Sequence, residues 1–291
     1  MEHKSGFVNI IGNPNVGKST IMNALVGDKL SIITSKAQTT RHRIMGIVNG
    51  EDFQIVYSDT PGILRPNYKL QESMMKSIKS ALIDADILLY VTDVMESMDR
   101  NPDILEKIKK LKIPTLVILN KIDLSGQDEV RILIGKWLDK LPQAEIIPLS
   151  AINFFNMEKL LNRIIELLPP GPPYFPKDQI TDRTERFFVS EMIREKILMQ
   201  YRKEIPYSVE VEVSSFKEEK EIIRIMATIH VLRDSQKGII IGHKGQSLKR
   251  IGKLAREDME RFFNKKIFLE LFVKVNKDWR NKERLLKKFG Y

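Results

Sequence analysis

Apolar positions in the first half of the chain fall into short unbroken runs. Each run is followed by a stretch whose apolar residues recur every three or four positions. "FVNIIG" (7–12) precedes a helical pattern from about Lys18, and "FQIVYS" (53–58) precedes "NYKLQESMMKSIKSAL" (67–82). "DILLYVTD" (86–93) precedes "PDILEKIKKL" (102–111), and "PTLVILN" (114–120) precedes "EVRILIGKWLDKL" (129–141). "EIIPLS" (145–150) precedes "NMEKLLNRIIELL" (156–168). Runs that are apolar on both faces suit buried parallel strands, and the three-to-four periodicity suits helices laid over them. Repeated βα units of this kind predict an α/β domain over residues 1–170, a mostly parallel sheet with helices on both faces.

"LLPPGPPYFPKDQITD" (167–182) breaks the pattern with five prolines and a glycine. Neither helix nor strand tolerates that density, so residues 171–181 read as a linker. Beyond it the order changes. "DRTERFFVSEMIREKILMQYRKEI" (182–205) is an amphipathic helix with Asp182 and Glu185 placed as a capping box. Strands follow at "YSVEVEVSSF" and "EIIRIMATIHVL", then a loop and long helix in "GIIIGHKGQSLKRIGKLAREDMERFF", then the strand "KIFLELFVKV". The order α-β-β-α-β predicts an α+β domain over 182–291. It ends in a basic helix capped near Asp278, most of whose lysines are equally read as the solvated face of a helix packed through Trp279, Leu285 and Leu286.

Composition narrows the chemistry. The 291 residues include no cysteine, which removes disulfides and thiolate metal sites and fits a reducing compartment. The four histidines show no metal-ligand spacing, and no apolar run is long enough to span a bilayer. The opening residues lead straight into a strand, so no signal peptide is expected. The net charge of +10 is unevenly placed. Residues 1–170 carry 21 Lys+Arg against 20 Asp+Glu, whereas residues 171–291 carry 27 against 18. Nearly all the excess lies in 231–291, with 17 against 7. A neutral half joined to a basic half suggests two tasks, the second on an anionic polymer or surface.

Between the first strand and the first helix stands "GNPNVGKST", Gly12-Asn13-Pro14-Asn15-Val16-Gly17-Lys18-Ser19-Thr20, which fits G-x-x-x-x-G-K-[ST]. Glycines let the loop wrap a phosphate chain, backbone N–H groups and the helix N-terminus point at it, and Lys18 adds charge on the β and γ oxygens. Ser19 is placed to hold Mg²⁺. Asp59-Thr60-Pro61-Gly62-Ile63 ends the next apolar strand. Asp59 there can reach the metal, and Gly62 can offer its N–H to a γ-phosphate. "NKID", Asn120-Lys121-Ile122-Asp123, follows a later strand. A carboxylate at Asp123 accepts two parallel bonds from guanine, which adenine cannot supply. Asn120 would brace the loop, and the Lys121 stem would lie along the base. Ser150-Ala151 closes the last strand, where a backbone N–H can meet guanine O6. The segment "KAQTTRHR" (36–43) reads by itself as a polar loop.

In the basic half, "IIIGHKGQSLKRIG" (239–252) reads as an apolar strand end, a G-x-x-G loop at Gly242–Gly245 and a helix. His243 and Lys244 are the exposed loop residues, with Lys249, Arg250 and Lys253 behind them. Ile240, Ile241, Leu248 and Ile251 would form an apolar floor for bases. A bare G-x-x-G is a poor signal, and alone it is read as an ordinary helix-entry turn.

With all five motifs in order, residues 1–170 resemble the Ras-like P-loop GTPases of the translation-factor class. Residues 182–291 resemble the prokaryotic (type II) KH domain, whose G-x-x-G loop clamps single-stranded RNA. The combination is similar to the Era family of bacterial ribosome-assembly GTPases, a likeness carried also by "KAQTTRHRI", "SDTPGI", "ITDRTERF", "IPYSVEVEV" and the ending "KKFGY". The resemblance implies a monomer that binds GTP/GDP and Mg²⁺, with Lys18, a switch threonine and Gly62 taking part in hydrolysis. It implies that this threonine, either Thr39 or Thr40, binds Mg²⁺. It implies a hold on the 3′ end of 16S ribosomal RNA and help in maturing the small (30S) subunit. It also implies a cytoplasmic location with some association at the inner face of the cell membrane. Ras-like enzymes place a glutamine after the D-x-x-G glycine to orient water, and here that residue is Ile63. The resemblance offers K⁺ held by Asn15 as a substitute charge; alternatively, Asn15 only shapes the loop. A GTPase whose basic half is a membrane-surface anchor is the rival reading.

Overall fold

The computed structural model describes residues 2–98 and 100–291. Two compact units emerge. One comprises Met1–Ile33, Thr40–Pro66 and Ser73–Asp182; the other comprises Thr34–Thr39, Asn67–Glu72 and Arg183–Tyr291.

The first unit holds a six-stranded sheet in the order β2-β3-β1-β4-β5-β6. Its strands are β1 (Lys4–Gly12), β2 (Ile44–Asn49), β3 (Phe53–Asp59), β4 (Ile87–Asp93), β5 (Thr115–Asn120) and β6 (Glu145–Pro148). Only β2 is antiparallel, paired with β3. The helices in this part of the chain are α1 (Lys18–Val26), α2 (Lys69–Ile83), α3 (Pro102–Lys109), α4 (Gln127–Lys140) and α5 (Met157–Leu167). β4 and β5 are buried at every position, as their apolar sequences require of strands covered on both faces. The order of elements places the ends of β1, β3, β4 and β5 side by side at one edge of the sheet, which is where the motif loops emerge.

The expected linker, residues 171–181, forms neither helix nor strand and is anchored to the sheet. Residues up to Asp182 pack as part of the first unit. Gln54 Nε2 donates to the Phe175 carbonyl at 2.8 Å, and its Oε1 accepts from the Tyr174 and Phe175 N–H groups at 2.7 and 2.9 Å. Thr181 Oγ1 donates to the Met45 carbonyl at 2.7 Å. The capping box also fails. α6 (Glu185–Gln200) has Thr184 at its N-cap, and Asp182 Oδ1 instead accepts from the Met45 N–H at 3.0 Å.

The second unit carries α6, a short α7 (Ile205–Ser208), β7 (Glu210–Glu218), β8 (Ile222–Val231), α8 (Asp234–Ile241), α9 (Gln246–Phe263), β9 (Lys266–Val275) and α10 (Glu283–Lys288). Its sheet runs β7-β8-β9, antiparallel between β7 and β8 and parallel between β8 and β9. The core is written in two periodicities. Val189, Ile193 and Ile197 of α6, and Ile251, Ala255 and Met259 of α9, stand four residues apart. They meet Ile223, Ile225, Ala227, Ile229 and Val231 on alternate positions of β8. The apolar run at 239–241 is helix, not strand end, and the C-terminal helix spans six residues after a 3₁₀ turn at Trp279–Asn281. Asp278 sits at the N-cap of that 3₁₀ turn. Trp279 and Leu286 are buried as expected, whereas Leu285 is only half-buried.

Candidate nucleotide and RNA sites

The phosphate loop joins β1 to α1. Gly12 has φ 153°, and a Cβ there would lie 2.1 Å from the Val91 carbonyl oxygen. At Gly17, φ 98°, a Cβ would meet Asn120 Nδ2 at 2.2 Å. Both positions therefore exclude a side chain on space as well as on conformation. Lys18 is buried, and its Nζ donates to the carbonyls of Gly12 (3.1 Å) and Asn13 (2.7 Å). Burial lowers its pKa to about 8, while the carboxylates of Asp59 and Glu96 pull it upward. An arriving polyphosphate would favour the charged form further.

Three oxygens converge behind this lysine. Ser19 Oγ donates to Asp59 Oδ2 at 2.6 Å. Thr40 Oγ1 lies 2.9 Å from Ser19 Oγ and 3.3 Å from Asp59 Oδ2. Asp59 is fully buried, its Oδ1 has no hydrogen-bond partner among the described residues, and desolvation raises its pKa despite Lys18, Ser19, Ser31 and Thr40. Two hydroxyls and an under-satisfied carboxylate are the hard oxygen donors that suit Mg²⁺, so the residues fit the ion. Position separates the two threonines. Thr39 lies in the second unit, where its Oγ1 donates to the Lys36 carbonyl at 2.6 Å and its own carbonyl accepts from Arg194 Nη2. The Thr39 hydroxyl is thus engaged within the second unit.

Thr60 Oγ1 is used structurally, donating to the Ile10 carbonyl at 2.7 Å. Pro61 and Gly62 follow. A Cβ at Gly62 would lie 2.8 Å from Pro14 backbone atoms, which presses this turn against the phosphate loop. Ile63 donates its N–H to the Gly12 carbonyl at 3.0 Å, but its side chain is buried among Ile11, Ile78, Leu82 and Tyr90. Its side chain is thus packed in the core and its N–H is spent on the phosphate loop. Thr20 sits in the first turn of α1, and Val16 is buried beneath the loop.

The candidate base-binding loops are tied to the phosphate loop. Asn120 Nδ2 donates to the Val16 carbonyl at 2.8 Å, and its Oδ1 accepts from the Ala151 N–H at 3.1 Å. Lys121, at φ 61°, donates to the Asn15 carbonyl at 2.7 Å and pairs with Asp93 at 2.6 Å. The Ile122 N–H reaches the Leu149 carbonyl at 3.4 Å. Ser150 Oγ donates to Asp123 Oδ1 at 2.5 Å, which aims the carboxylate. Asp93 went unforeseen; its only sequence signal is a carboxylate at the end of a buried strand.

In the second unit, Ile241 ends α8. Gly242 (φ 71°), Lys244 (φ 47°) and Gly245 (φ 77°) then make a tight turn into α9. His243, Lys244, Lys249, Arg250 and Lys253 are exposed. Beside them lies an open groove of about 750 Å³ whose walls include Lys249, Arg250, Lys253, Leu248, Leu269 and Leu271. Two expected contacts are corrected. Ile240 and Ile251 are fully buried core residues, so the expected apolar floor does not include them; the apolar residues lining the groove are Leu248, Leu269 and Leu271.

Comparison with known proteins agrees in both units. A family model described as 50S ribosome-binding GTPase matches residues 7–121, and a KH domain model matches residues 204–280. GTPase Era of Staphylococcus haemolyticus is 46% identical over all of this chain and 98% of its own length; that of Alkaliphilus metalliredigens is 45% identical over the whole of both. An Era structure in complex with MgGDPNP and nucleotides 1506–1542 of 16S ribosomal RNA superposes with a TM-score of 0.96 at 41% identity, covering 99% of each chain. A single-residue variant of Aquifex aeolicus Era bound to GDP and AlF4⁻ gives 0.95 at 41% identity, also over 99% of each chain. With relatives of this identity spanning its whole length, the chain belongs to the Era family of GTPases.

Proposed function

We propose that this GTPase binds the 3′ end of 16S ribosomal RNA through its KH unit and uses GTP turnover to time its service to the maturing 30S subunit. The observation that carries the reading is the full-length likeness to an Era protein solved with that RNA and MgGDPNP. The exposed Lys244 turn and its basic groove supply the matching chemistry in this chain.

In this reading Lys18 leaves the carbonyls of Gly12 and Asn13 for the β and γ oxygens. The N–H groups of the phosphate loop cradle the same oxygens, and Gly62 offers its N–H to the γ-phosphate. Asp123, aimed by Ser150, selects guanine, and Asn120 couples that loop to Val16. Ser19 and Thr40, with Asp59, would hold Mg²⁺, which when bound screens the phosphate charge. No side chain after Gly62 can orient water, so intrinsic hydrolysis is slow, roughly 10⁻⁴ to 10⁻² per second.

Three finer points belong to the same proposal. Asn15 is exposed at the loop, where it would help hold K⁺ as a substitute for an arginine; K⁺ should then accelerate single-turnover hydrolysis over Na⁺. The basic excess of residues 171–291 supports peripheral contact with the cytoplasmic face of the membrane, to be read by co-sedimentation with anionic vesicles. The protein works as a monomer in the cytoplasm. The central test is binding of a labelled 3′-terminal 16S fragment to the full chain with GDPNP or GDP. Tighter binding in one nucleotide state supports the proposal. Equal binding to this fragment and to an unrelated single strand in both states overturns it.

A further inference from the structure

The connection from β4 to α3 contains none of the nucleotide motifs, yet it grips the phosphate loop from outside. Asn13 is buried, and both ends of its amide are used: Nδ2 donates to Glu96 Oε1, and Oδ1 accepts from Asn101 Nδ2. Glu96 is fixed in turn at its second oxygen, Oε2, by the Thr92 hydroxyl at 3.0 Å, while Arg100 Nη1 stands 3.5 Å from Oε1. The Glu96 side chain is only 6% exposed, and burial raises its pKa. A carboxylate so far from water, close enough to Lys18 to influence its charge, works against bound phosphate unless it supplies something else. What it supplies is a fixed Asn13, whose own carbonyl receives Lys18 Nζ. The end of β4 reaches the loop as well, because Asp93 bonds Lys121, which donates to the Asn15 carbonyl.

We propose that Glu96, assisted by Asn101, is a positioning residue of the nucleotide site: by fixing Asn13 it pre-organises the backbone N–H groups that receive the phosphates. The proposal rests on the phosphate-loop reading of Gly12–Ser19. A glycine-bearing loop that is already ordered loses less entropy on binding its ligand. An ionised acceptor holds the Asn13 amide more firmly than a neutral one.

The test uses the full chain with fluorescent mant-GDP and mant-GDPNP in Mg²⁺, reading Kd and dissociation rate. Glu96→Ala should weaken binding about 10- to 100-fold, the range for a lost bond to a charged group. Asn13→Ala should weaken it similarly, and the double variant should be no weaker than the worse single one. Glu96→Gln keeps an acceptor for Asn13 and should return affinity to within about threefold of wild type. Asn101→Ala, which leaves Glu96 in place, should raise the dissociation rate severalfold and serves if Glu96→Ala misfolds. Wild-type affinity in Glu96→Ala, or additive effects of Glu96→Ala and Asn13→Ala, overturns the proposal. Lys18→Ala separates the two readings: if it binds nucleotide normally, the phosphate-loop assignment itself has failed.

Discussion

Truncating Ile63 distinguishes a water gate from a packing residue. Its side chain is 5% exposed and lies in the apolar cluster with Ile11, Ile78, Leu82 and Tyr90, while its N–H is tied to Gly12. Ile63→Ala removes three carbons, about 2.4 kcal/mol at roughly 0.8 kcal/mol per methylene. A residual cavity of about 50 Å³ adds about 1.2 kcal/mol. The first unit should therefore lose about 3–4 kcal/mol, and Ile63→Val about 1 kcal/mol. The two tryptophans report separately, because Trp137 belongs to this same cluster and Trp279 to the second unit. Fluorine-labelled tryptophan gives one resonance for each, so a urea titration of nucleotide-free protein reads the first unit alone. Single-turnover GTP hydrolysis, measured where the variant is fully folded, should stay within about threefold of wild type, because the lost group carries no donor or acceptor. A rate rising tenfold or more on truncation, with Trp137 unfolding at the wild-type urea concentration, would refute the packing assignment and make Ile63 a gate.

Thr40→Ala should lower Mg²⁺-dependent hydrolysis by at least about tenfold, the cost of disturbing a metal site, whereas Thr39→Ala should cost less than about threefold; a magnesium titration showing the reverse order would move the switch ligand to Thr39. Asp123→Asn should weaken GTP and improve xanthosine triphosphate, whose extra carbonyl can accept from the new amide; an unchanged preference for GTP in competition binding would remove Asp123 from the base site. Lys244→Ala should flatten the salt dependence of RNA binding by about 0.7 in log–log slope, the single-strand value per phosphate contact, without altering GTP affinity. His230 is buried between Glu212 and Asn276, and burial lowers its pKa even though Glu212 pulls it up. The unfolded chain then takes up the proton first, so the second unit should be most stable above about pH 6.5 and lose stability as pH falls below it. The Trp279 urea midpoint should show that fall between about pH 7.5 and 5.5, and His230→Asn should flatten it; equal slopes would assign the fall to other groups.

The nucleotide motifs were legible because phosphate and guanine chemistry dictates residue types at fixed spacing on identifiable elements. Strand and helix order was legible for a similar reason, since burial on both faces leaves an unbroken apolar run. What sequence could not supply were pairings between distant residues. Glu96 lies 83 positions from Asn13, and nothing local marks either as a partner. The proline-rich stretch is neither helix nor strand, as its five prolines dictate. Its anchoring by Gln54 and Met45 depends on a sheet edge formed more than a hundred residues earlier. "GIII" at 238–241 has the composition of a strand and the length at which periodicity fails to discriminate. Its helical state follows from the turn at Gly242 and from a core that takes Ile240 from one face only.

Ile63 shows why a motif comparison alone can pose the wrong question. Reading it against the glutamine of Ras-like enzymes assumes that the side chain after Gly62 faces the phosphates. Here Gly62 is pressed against Pro14 with no room for a Cβ, and the next N–H is fixed to Gly12. Those two constraints set the backbone direction, and the residue-63 side chain then enters the apolar cluster above β4 and α2. A glutamine at that position would have to bury an amide there or break the Gly12 bond, each a cost of about 1–3 kcal/mol. Apolar character at residue 63 thus follows from the local backbone. The group that orients water is therefore to be sought outside the residue-63 side chain.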